Sequence, residues 1–357
     1  MKILIAPLIT REKADAQFYL TRNLIDLFLT NGHSCLVSAD TANGFRNASL
    51  YPMPKLRSLL LASKGRSYEE WLYACGAGKE DWIATDTDSL LGAADEYQPD
   101  VILTMDRVSA LIAARVRNIP CCAFVNSAVF RSTSFPIRAM KGTNAVLSRY
   151  HLEQEFSMKD VYRRSTYRIA FGPRELQPFP DESEITRIGT AALRQKQPEK
   201  TNRVVIYLSE AGKPAWSLHK IIREAFLGAP YAVYAWYPGV HPEKEANLHF
   251  IERPRAELIA GSAVCIHSGN YYLSNHCATY GIPQLVICDR SYPRLYCGQN
   301  VQRSGCGIWL YEDELSMSSL YEAYRRLLAD DGLPDRVQDI QKKITGLGDL
   351  SELLKLF

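Results

Sequence analysis

The chain has 357 residues, of which 46% are hydrophobic and 23% charged, and its formal net charge is +3. This length suggests two domains of ordinary size, and the composition is typical of a globular protein. The basic residues are scattered and form no stripe that would predict nucleic-acid binding. No apolar run is long enough to span a bilayer, and the opening "MKILIAPLI" lacks the features of a signal peptide, so we expect a cytoplasmic protein.

Nine cysteines are present. Their odd number and their apolar neighbours, as in "VCIH" and "VICD", predict reduced thiols in or near the core. No pair of cysteines has the spacing of a zinc site, so we expect no metal there.

The first half of the chain alternates predicted strands and helices. "KILIAPLI" is a predicted strand, "DAQFYLTRNLIDLFLTNG" an amphipathic helix closed by Gly32, and "HSCLVSA" the next strand. Residues 44–80 are predicted to be irregular. The helix "SLLGAADEYQPD", the strand "VILTM", a further helix and the strand "CCAFVN" follow. Such alternation predicts a parallel sheet covered by helices on both faces.

A polar stretch, "TAALRQKQPEKTNR", follows Gly189, and the alternation then restarts with "VVIYLS". We therefore predict a Rossmann-like domain at 1–190, a linker at 191–203 and a second Rossmann-like domain at 204–357. In doubly wound domains ligands bind at the carboxyl ends of the strands, so we expect these ends to face a central cleft. The last helix, "LSELLKLF", is expected to pack back on the first domain.

The stretch "AVCIHSGNYYLSNHCATYGIPQLVI", residues 263–287, places polar residues where a buried strand turns into a helix. The N-terminus of a helix offers unpaired N–H groups and a positive dipole end, which together bind anions. In this interpretation Gly269 lets a phosphate approach the backbone, Ser268 and Asn270 donate or cap the helix, and His267 adds a proton or a positive charge. The alternative is a capping Ser268 and a His267 packed at the sheet edge.

The order of several segments in the second half resembles the nucleotide-sugar domain of the GT-B glycosyltransferases, the group of UDP-glucuronosyl/glucosyltransferases and bacterial antibiotic glycosyltransferases. The segments are "LSEAGK", "ERPRAELIAGS", "IHSGN", "GIPQLVI" and "QNVQRSGCGIWL". The resemblance implies a GT-B fold, a nucleotide-sugar donor as substrate, no cofactor and no metal. It places the donor diphosphate at residues 267–270.

The resemblance also assigns the other donor-binding residues. Arg253 and Arg255 would lie near the nucleobase, and His276 stands about where the family has a ribose-binding glutamate. Asp289 and Arg290 are the nearest substitutes for the pair that holds sugar hydroxyls, which itself falls near Pro293 and Arg294. Ser209 and Gly212 either contact phosphate or form a turn.

Inverting members of this group place the catalytic base after the first strand, where this chain has "PLITREKADAQF". Asp15 is our first choice and Glu12 the second, although a helix cap is the alternative role for Asp15. Alignment with the family puts the base nearer Gln17, whose amide cannot accept a proton.

Two further features have alternative interpretations. The triplet "DTD" at 86–88 resembles a metal-binding motif of another glycosyltransferase fold, but Asp88 is better interpreted as a helix cap. Aromatic residues of the first half could line an apolar acceptor pocket or belong to the core. These residues are Phe45, Tyr51, Trp71, Tyr73, Phe130 and Phe135.

The sequence thus predicts an inverting, metal-independent glycosyltransferase that moves a sugar from a UDP- or dTDP-linked donor to a hydroxyl of a small-molecule acceptor. A GT-B nucleotide-sugar 2-epimerase would require more carboxylates than the cleft segments offer. A degenerate GT-B protein that binds or activates a catalytic partner is the alternative. The sequence carries no signal for an oligomeric state.

Overall fold

A computed structural model describes residues 1–8, 16–39, 45, 48–54, 67–131, 137–191, 199–209 and 212–357. The chain forms two compact units, each with its own seven-stranded sheet. The first unit comprises Met1–Ala170, Phe179–Ile188 and Leu353–Phe357, and the second comprises Phe171–Pro178 and Gly189–Glu352. Most of the predicted linker, residues 192–198, lies outside the described part of the chain.

The first sheet has the strand order β3-β2-β1-β4-β5-β6-β7, and the recorded pairings among β1 to β6 are parallel. β1 and β4 are neighbouring inner strands, because the chain adds β2 and β3 on one side of β1 and then returns to add β4 on the other. The strands are β1 (Lys2–Pro7), β2 (Ser34–Ala39), β3 (Ser49–Pro52), β4 (Val101–Met105), β5 (Cys121–Phe124), β6 (Tyr167–Phe171) and β7 (Thr186–Ile188).

Seven α-helices and one 3₁₀ turn, Glu182–Glu184, connect these strands in the described residues. The prediction that residues 44–80 are irregular was partly wrong, because they contain β3 and α2, whose short apolar runs gave no clear periodicity. The helices are α1 (Ala16–Thr30), α2 (Tyr68–Cys75), α3 (Glu80–Tyr97), α4 (Val108–Arg117), α5 (Ser127–Phe130), α6 (Ile137–Arg149) and α7 (Met158–Arg163).

The acidic pair of the "DTD" triplet lies inside α3 and caps no helix, so that prediction was wrong. The Asp86 carboxylate accepts hydrogen bonds from Arg107 Nε at 2.8 Å and Nη2 at 2.6 Å, and both side chains are fully buried. Arg107 also donates to the Ser38 carbonyl at 2.7 Å, which joins α3 and α4 to the sheet. Asp88 contacts Arg149 and Tyr150 at the surface. These contacts indicate that the triplet stabilises the fold and does not bind a metal.

The second sheet has the order β10-β11-β9-β8-β12-β13-β14 and is parallel except for the β10–β11 pair. The antiparallel β10 was not predicted, because its "EKE" sequence has no apolar residue. The strands are β8 (Arg203–Tyr207), β9 (Ala232–Trp236), β10 (Glu243–Glu245), β11 (Leu248–Phe250), β12 (Val264–His267), β13 (Gln284–Cys288) and β14 (Gly307–Tyr311).

Helices cover this sheet as well. Both units therefore combine a mostly parallel sheet with covering helices, which confirms the predicted α/β class with two doubly wound units. No helix in the described residues combines the length and apolar character needed to cross a membrane. Two 3₁₀ segments occur at Glu312–Glu314 and Leu350–Leu356. The helices are α8 (Ala215–Phe226), α9 (Ala256–Ala260), α10 (Tyr271–Thr279), α11 (Tyr292–Arg303), α12 (Met317–Leu328) and α13 (Leu333–Gly346).

Candidate functional site

The strand order of the second unit reverses between β8 and β12. From β8 the chain goes to β9 and β11 on one side and then crosses to β12 on the other. Ligands of open parallel sheets bind at such a point, beyond the carboxyl ends of the strands. Ser209 and Ser268 follow these two strands, and their Oγ atoms are 3.1 Å apart. The topology therefore brings two of the predicted donor-binding residues together.

A tight turn joins β12 to α10. Asn270 caps the helix, its Oδ1 accepting hydrogen bonds from the backbone N–H groups of Tyr272 at 2.9 Å and Leu273 at 3.2 Å. Gly269 has a φ of +80°, and its N–H donates to His267 Nδ1 at 3.2 Å. Of the predicted alternatives for Asn270, helix capping is the one that the structure contains.

A glycine is also required at position 269 because of its close contact with Arg294. A Cβ atom at this position would lie 2.9 Å from the backbone oxygen of Arg294, in the first turn of α11. The close approach at Gly269 is therefore an approach between the starts of α10 and α11. This contact was not predicted, because Arg294 is distant in the chain and the helix α11 was not predicted either.

His267 is a neutral, internal side chain. It is fully buried, and since Nδ1 accepts from Gly269, Nε2 carries the proton and donates to Gln284 Oε1 at 3.0 Å. Burial lowers the pKa of His267 to about 4, against the weaker effect of the Gln284 hydrogen bond. The predicted role as a source of a proton or positive charge was wrong, because a buried imidazole without an anionic partner favours the uncharged form.

The lowered pKa of His267 predicts a pH-dependent stability. The folded chain binds this proton only near pH 4, whereas the unfolded chain binds it near 6.5, so stability falls as the pH falls between these values. At 1.36 kcal/mol for each pKa unit the loss is about 3 kcal/mol. Urea unfolding of the wild type and of His267→Gln from pH 7 to 4 would measure it: the wild type should lose more stability. Parallel curves would contradict the prediction.

A pocket at the switch point contains three charged side chains, and Ser268 lines it as well. The Asp289 carboxylate pairs with Arg294 Nη1 at 2.5 Å and accepts from the Ser291 N–H at 2.9 Å. Glu312 Oε1 accepts the Lys213 N–H at 2.9 Å. The lining residues are Leu208, Ser268, Ile287, Asp289, Arg294, Glu312 and Leu315.

The charges in this pocket affect each other. Burial raises the pKa of Asp289 to about 6, the Ser291 hydrogen bonds lower it, and the negative charge of Glu312 raises it further. Asp289 was among the predicted donor-binding residues, whereas Glu312 was not. Arg294 was predicted only as a position near which the family's sugar-binding pair falls. A guanidinium can bind an anion and carboxylate oxygens can accept from hydroxyl groups, but the space between these side chains is too narrow for a water molecule, so a ligand has to move them apart.

Arg290 and Gly212 lie in different surroundings. Arg290 pairs with Asp313 at 2.7 Å and stacks on the Tyr311 ring at 4.4 Å, so its guanidinium is at the surface. Gly212 lies against Glu312, whose Oε2 would be 3.3 Å from a Cβ atom. The second residue of the predicted sugar-binding pair is therefore not in this pocket, whereas Gly212 borders one of its carboxylates.

The remaining predicted donor residues lie around α9. The backbone N–H and carbonyl of Arg255 each make a 2.9 Å hydrogen bond with the Tyr207 hydroxyl. The side chains of Arg255 and Arg253 are exposed. His276 is half-buried, and its Nε2 donates to the Ala256 carbonyl at 3.4 Å. Burial lowers its pKa. His276 thus contacts the start of α9.

The first unit has its own switch point, between β1 and β4. Asp15 and Glu12 lie outside the described residues, so their assignment as the base stays a prediction. The residue after β4 is Asp106, whose carboxylate accepts hydrogen bonds from Gln17 Nε2 at 2.7 Å and from the Tyr68 hydroxyl at 2.6 Å. Asp106 was not among the predicted site residues, although a polar residue directly after the buried strand "VILTM" was a usable signal.

The aromatic residues considered for an acceptor pocket are mostly accounted for by packing within the first unit. Phe45 is buried against Phe18, with ring centroids 5.0 Å apart, and Phe130 is buried against Phe179 at 5.3 Å. Trp71 packs on Tyr68, Tyr51 contacts Glu96, and Tyr73 is exposed. Phe135 lies outside the described residues.

Comparison with solved structures shows which known fold this topology matches. The glycosyltransferase of kitacinnamycin has a TM-score of 0.76 at 15% identity, covering 99% of this chain and 98% of that chain. The spinosyn rhamnosyltransferase SpnG complexed with thymidine diphosphate has a TM-score of 0.74 at 17% identity, covering 100% and 99%. The chain has the GT-B fold. The predicted fold and the predicted resemblance to antibiotic glycosyltransferases are confirmed.

Sequence comparison gives the same group, although no family model matches the chain. The NDP-glycosyltransferase YjiC of Bacillus subtilis is 27% identical over 70% of this chain and 70% of its own length. YjiC of Bacillus licheniformis is 24% identical over 54% of this chain, and the match spans only 53% of that relative. Both relatives are glycosyltransferases, the enzyme class that the sequence analysis predicted.

Proposed function

We propose that this GT-B chain is an inverting, metal-independent glycosyltransferase that moves a sugar from a nucleotide diphosphate to a hydroxyl of a small molecule. The observation that carries the proposal is the pocket at the β8/β12 switch point. There the Ser209 and Ser268 hydroxyls meet 3.1 Å apart, and Ser268 lines the same pocket as Asp289 and Arg294.

The proposed chemistry assigns each part of the pocket a role. The donor diphosphate lies by Ser268 at the positive end of α10, where the helix dipole and the Arg294 guanidinium favour negative charge. As the bond between the sugar and the phosphate breaks, charge grows on the diphosphate, and these groups stabilise it more than in the ground state. This role replaces that of a divalent cation. The Asp289 and Glu312 carboxylates accept hydrogen bonds from sugar hydroxyls.

The choice of nucleotide and acceptor comes from the relatives. SpnG has been solved with thymidine diphosphate and with spinosyn aglycone, and the glycosyltransferase VinC with dTDP. The curated relatives are NDP-glycosyltransferases. By this analogy we propose a dTDP-linked donor and a small-molecule aglycone as acceptor, with a UDP-linked donor as the alternative.

A second candidate is a GT-B chain without turnover that binds or activates a catalytic partner. The observation in its favour is that Arg294 is already ion-paired with Asp289 at 2.5 Å, so a diphosphate has to share or displace that partner.

Nucleotide binding tests the proposal. UDP or dTDP at 100 times its Kd should stabilise the fold by about 2.7 kcal/mol, because a ligand that binds only the folded state shifts unfolding. Thermal unfolding with and without each nucleotide, in EDTA, would measure this. The stabilisation by nucleotide should persist in EDTA, and sugar transfer should also continue in EDTA. A dependence on Mg²⁺ would contradict the metal-independent mechanism.

Two arginine variants locate the binding site. Arg294→Met should weaken nucleotide binding at least tenfold, since a charge-assisted hydrogen bond is worth about 1.5–3 kcal/mol. The nucleotide-induced stabilisation should fall accordingly. Arg290→Met is the matched control, because Arg290 is also ion-paired but lies outside the pocket. Equal binding by both variants places the nucleotide elsewhere. Binding without transfer to any acceptor favours the second candidate.

A further inference from the structure

The pocket of the second unit is built from residues that directly follow neighbouring strands. Ser268 follows β12, Asp289 follows β13 and Glu312 follows β14. These strands are parallel, so their carboxyl ends lie at the same edge of the sheet. Arg294 comes from the first turn of α11. The pocket therefore combines two carboxylates from strand ends with one guanidinium from a helix.

The ion pair between Asp289 and Arg294 closes this pocket. Arg294 Nη1 lies 2.5 Å from Asp289 Oδ2, and the two side chains are only 14% and 9% exposed. The space left between the lining side chains is too narrow for a water molecule. A diphosphate that binds the Arg294 guanidinium in the pocket therefore has to separate this pair.

The Asp289 carboxylate is also held from its other side. Its Oδ1 accepts hydrogen bonds from the Ser291 N–H at 2.9 Å and from the Ser291 hydroxyl at 2.5 Å, whereas Arg294 contacts Oδ2. The carboxylate therefore keeps its position when the guanidinium leaves. Its Oδ2 then becomes available to another donor, such as a sugar hydroxyl.

Arg294 can leave Asp289 without a movement of α11. Its backbone oxygen accepts from Cys288 Sγ at 3.3 Å and packs against Gly269, so the start of the helix is held by the strand ends. The arginine side chain is long and rotates about several bonds. A change of rotamer is therefore sufficient to turn the guanidinium from the carboxylate toward an anion.

Opening the pair is unfavourable unless both charges find new partners. Removing one partner of a buried ion pair leaves an uncompensated charge. Burial raises the pKa of Asp289 to about 6 and the Glu312 charge raises it further, which shows that a carboxylate charge here is disfavoured. A nucleoside diphosphate supplies a new partner for Arg294 alone. A nucleotide-sugar also brings hydroxyl groups, which can donate to Asp289.

We propose that Arg294 is a switch through which the pocket distinguishes the nucleotide-sugar donor from the nucleoside diphosphate product, an inference that rests on the proposed function. In the closed pocket Arg294 binds Asp289. The donor opens the pocket by giving its diphosphate to Arg294 and a sugar hydroxyl to Asp289. After transfer the sugar leaves with the acceptor, Asp289 takes Arg294 back, and the nucleoside diphosphate is released.

Asp289→Asn tests the switch, because asparagine has nearly the same size and can still accept from the Ser291 N–H. The variant no longer competes for the guanidinium, so dTDP or UDP should bind about tenfold or more tightly than to the wild type. A dTDP- or UDP-linked sugar that the wild type binds should gain less, because it loses a charged acceptor for its hydroxyl. Calorimetric titration measures both affinities. Unchanged or weaker binding of the nucleoside diphosphate, or an equal gain for both ligands, would overturn the proposal.

Two variants control for the lost charge. Asp313→Asn removes the partner of Arg290 in an ion pair at the surface, where the side chains are 61% and 56% exposed, and should leave nucleotide binding unchanged. Glu312→Gln removes a negative charge from the pocket itself but leaves the Asp289–Arg294 pair intact. It should strengthen the binding of dTDP or UDP less than Asp289→Asn does. An equal gain in Glu312→Gln would show an effect of charge alone and would contradict the switch.

A crystal structure of the wild type with dTDP or UDP tests the same step without a substitution. The Arg294 guanidinium should contact the diphosphate and should have left Asp289. If the wild type binds no nucleotide and transfers no sugar, the proposed function itself fails. If the wild type binds nucleotide and the ion pair is still closed in the complex, only the switch fails.

Discussion

Replacement of Arg107 with methionine should lower the free energy of unfolding by about 3–5 kcal/mol, the usual cost of breaking a buried ion pair. The variant leaves the Asp86 carboxylate, which is fully buried, without its cation. It also removes the donors to the Ser38 carbonyl and hydroxyl. Urea unfolding monitored by circular dichroism would measure the loss.

The double variant Asp86→Leu/Arg107→Met serves as the control for this prediction. An apolar pair of similar volume removes both charges, so it should regain most of the stability that the single variant loses. Such a result would show that the single variant is unstable because of its uncompensated charge. A loss below 1 kcal/mol in Arg107→Met would contradict the importance of the pair.

Gly269→Ala should both destabilise the second unit and reduce nucleotide binding. The added Cβ would lie 2.9 Å from the Arg294 backbone oxygen, so α11 has to move and carry its first turn away from Ser268. The expected cost is about 1–2 kcal/mol for the left-handed backbone and about 1–3 kcal/mol for overpacking. Thermal unfolding and nucleotide titration of the same sample would measure both effects.

Gly228→Ala is a closely matched control for that substitution. Gly228 also has a φ of +80°, but a Cβ atom there has no neighbour within 4 Å. It should therefore lose only the stability that the backbone conformation costs and should bind nucleotide normally. If both variants lose the same stability, the contact between Gly269 and Arg294 contributes nothing.

The alternation of strands and helices could be predicted from the sequence because buried parallel strands appear as continuous apolar runs. "KILIAPLI", "VILTM", "AVCIH" and "IPQLVI" all correspond to strands of the two sheets. The antiparallel β10 and the helices α2 and α11 were missed because their positions depend on tertiary pairing rather than on local apolar periodicity. Doubly wound topology then followed from general rules of chain handedness and connection.

The site was less predictable, because its geometry joins segments far apart in the chain. The turn at residues 267–270 was found from local pattern, but the pocket also needs Arg294 and Glu312, and their approach depends on the packing of α11 and β14. The pKa of His267 depends on burial, which a motif does not reveal.

All nine cysteines are buried, four in the first unit and five in the second. Burial raises the pKa of Cys35 and Cys306 to about 11 and that of Cys121 and Cys297 to about 12. Native thiols of this kind react with alkylating reagents only when the surrounding structure opens. The number of alkylated thiols therefore reports which unit has opened. By mass spectrometry, opening of the first unit adds four adducts and opening of the second adds five.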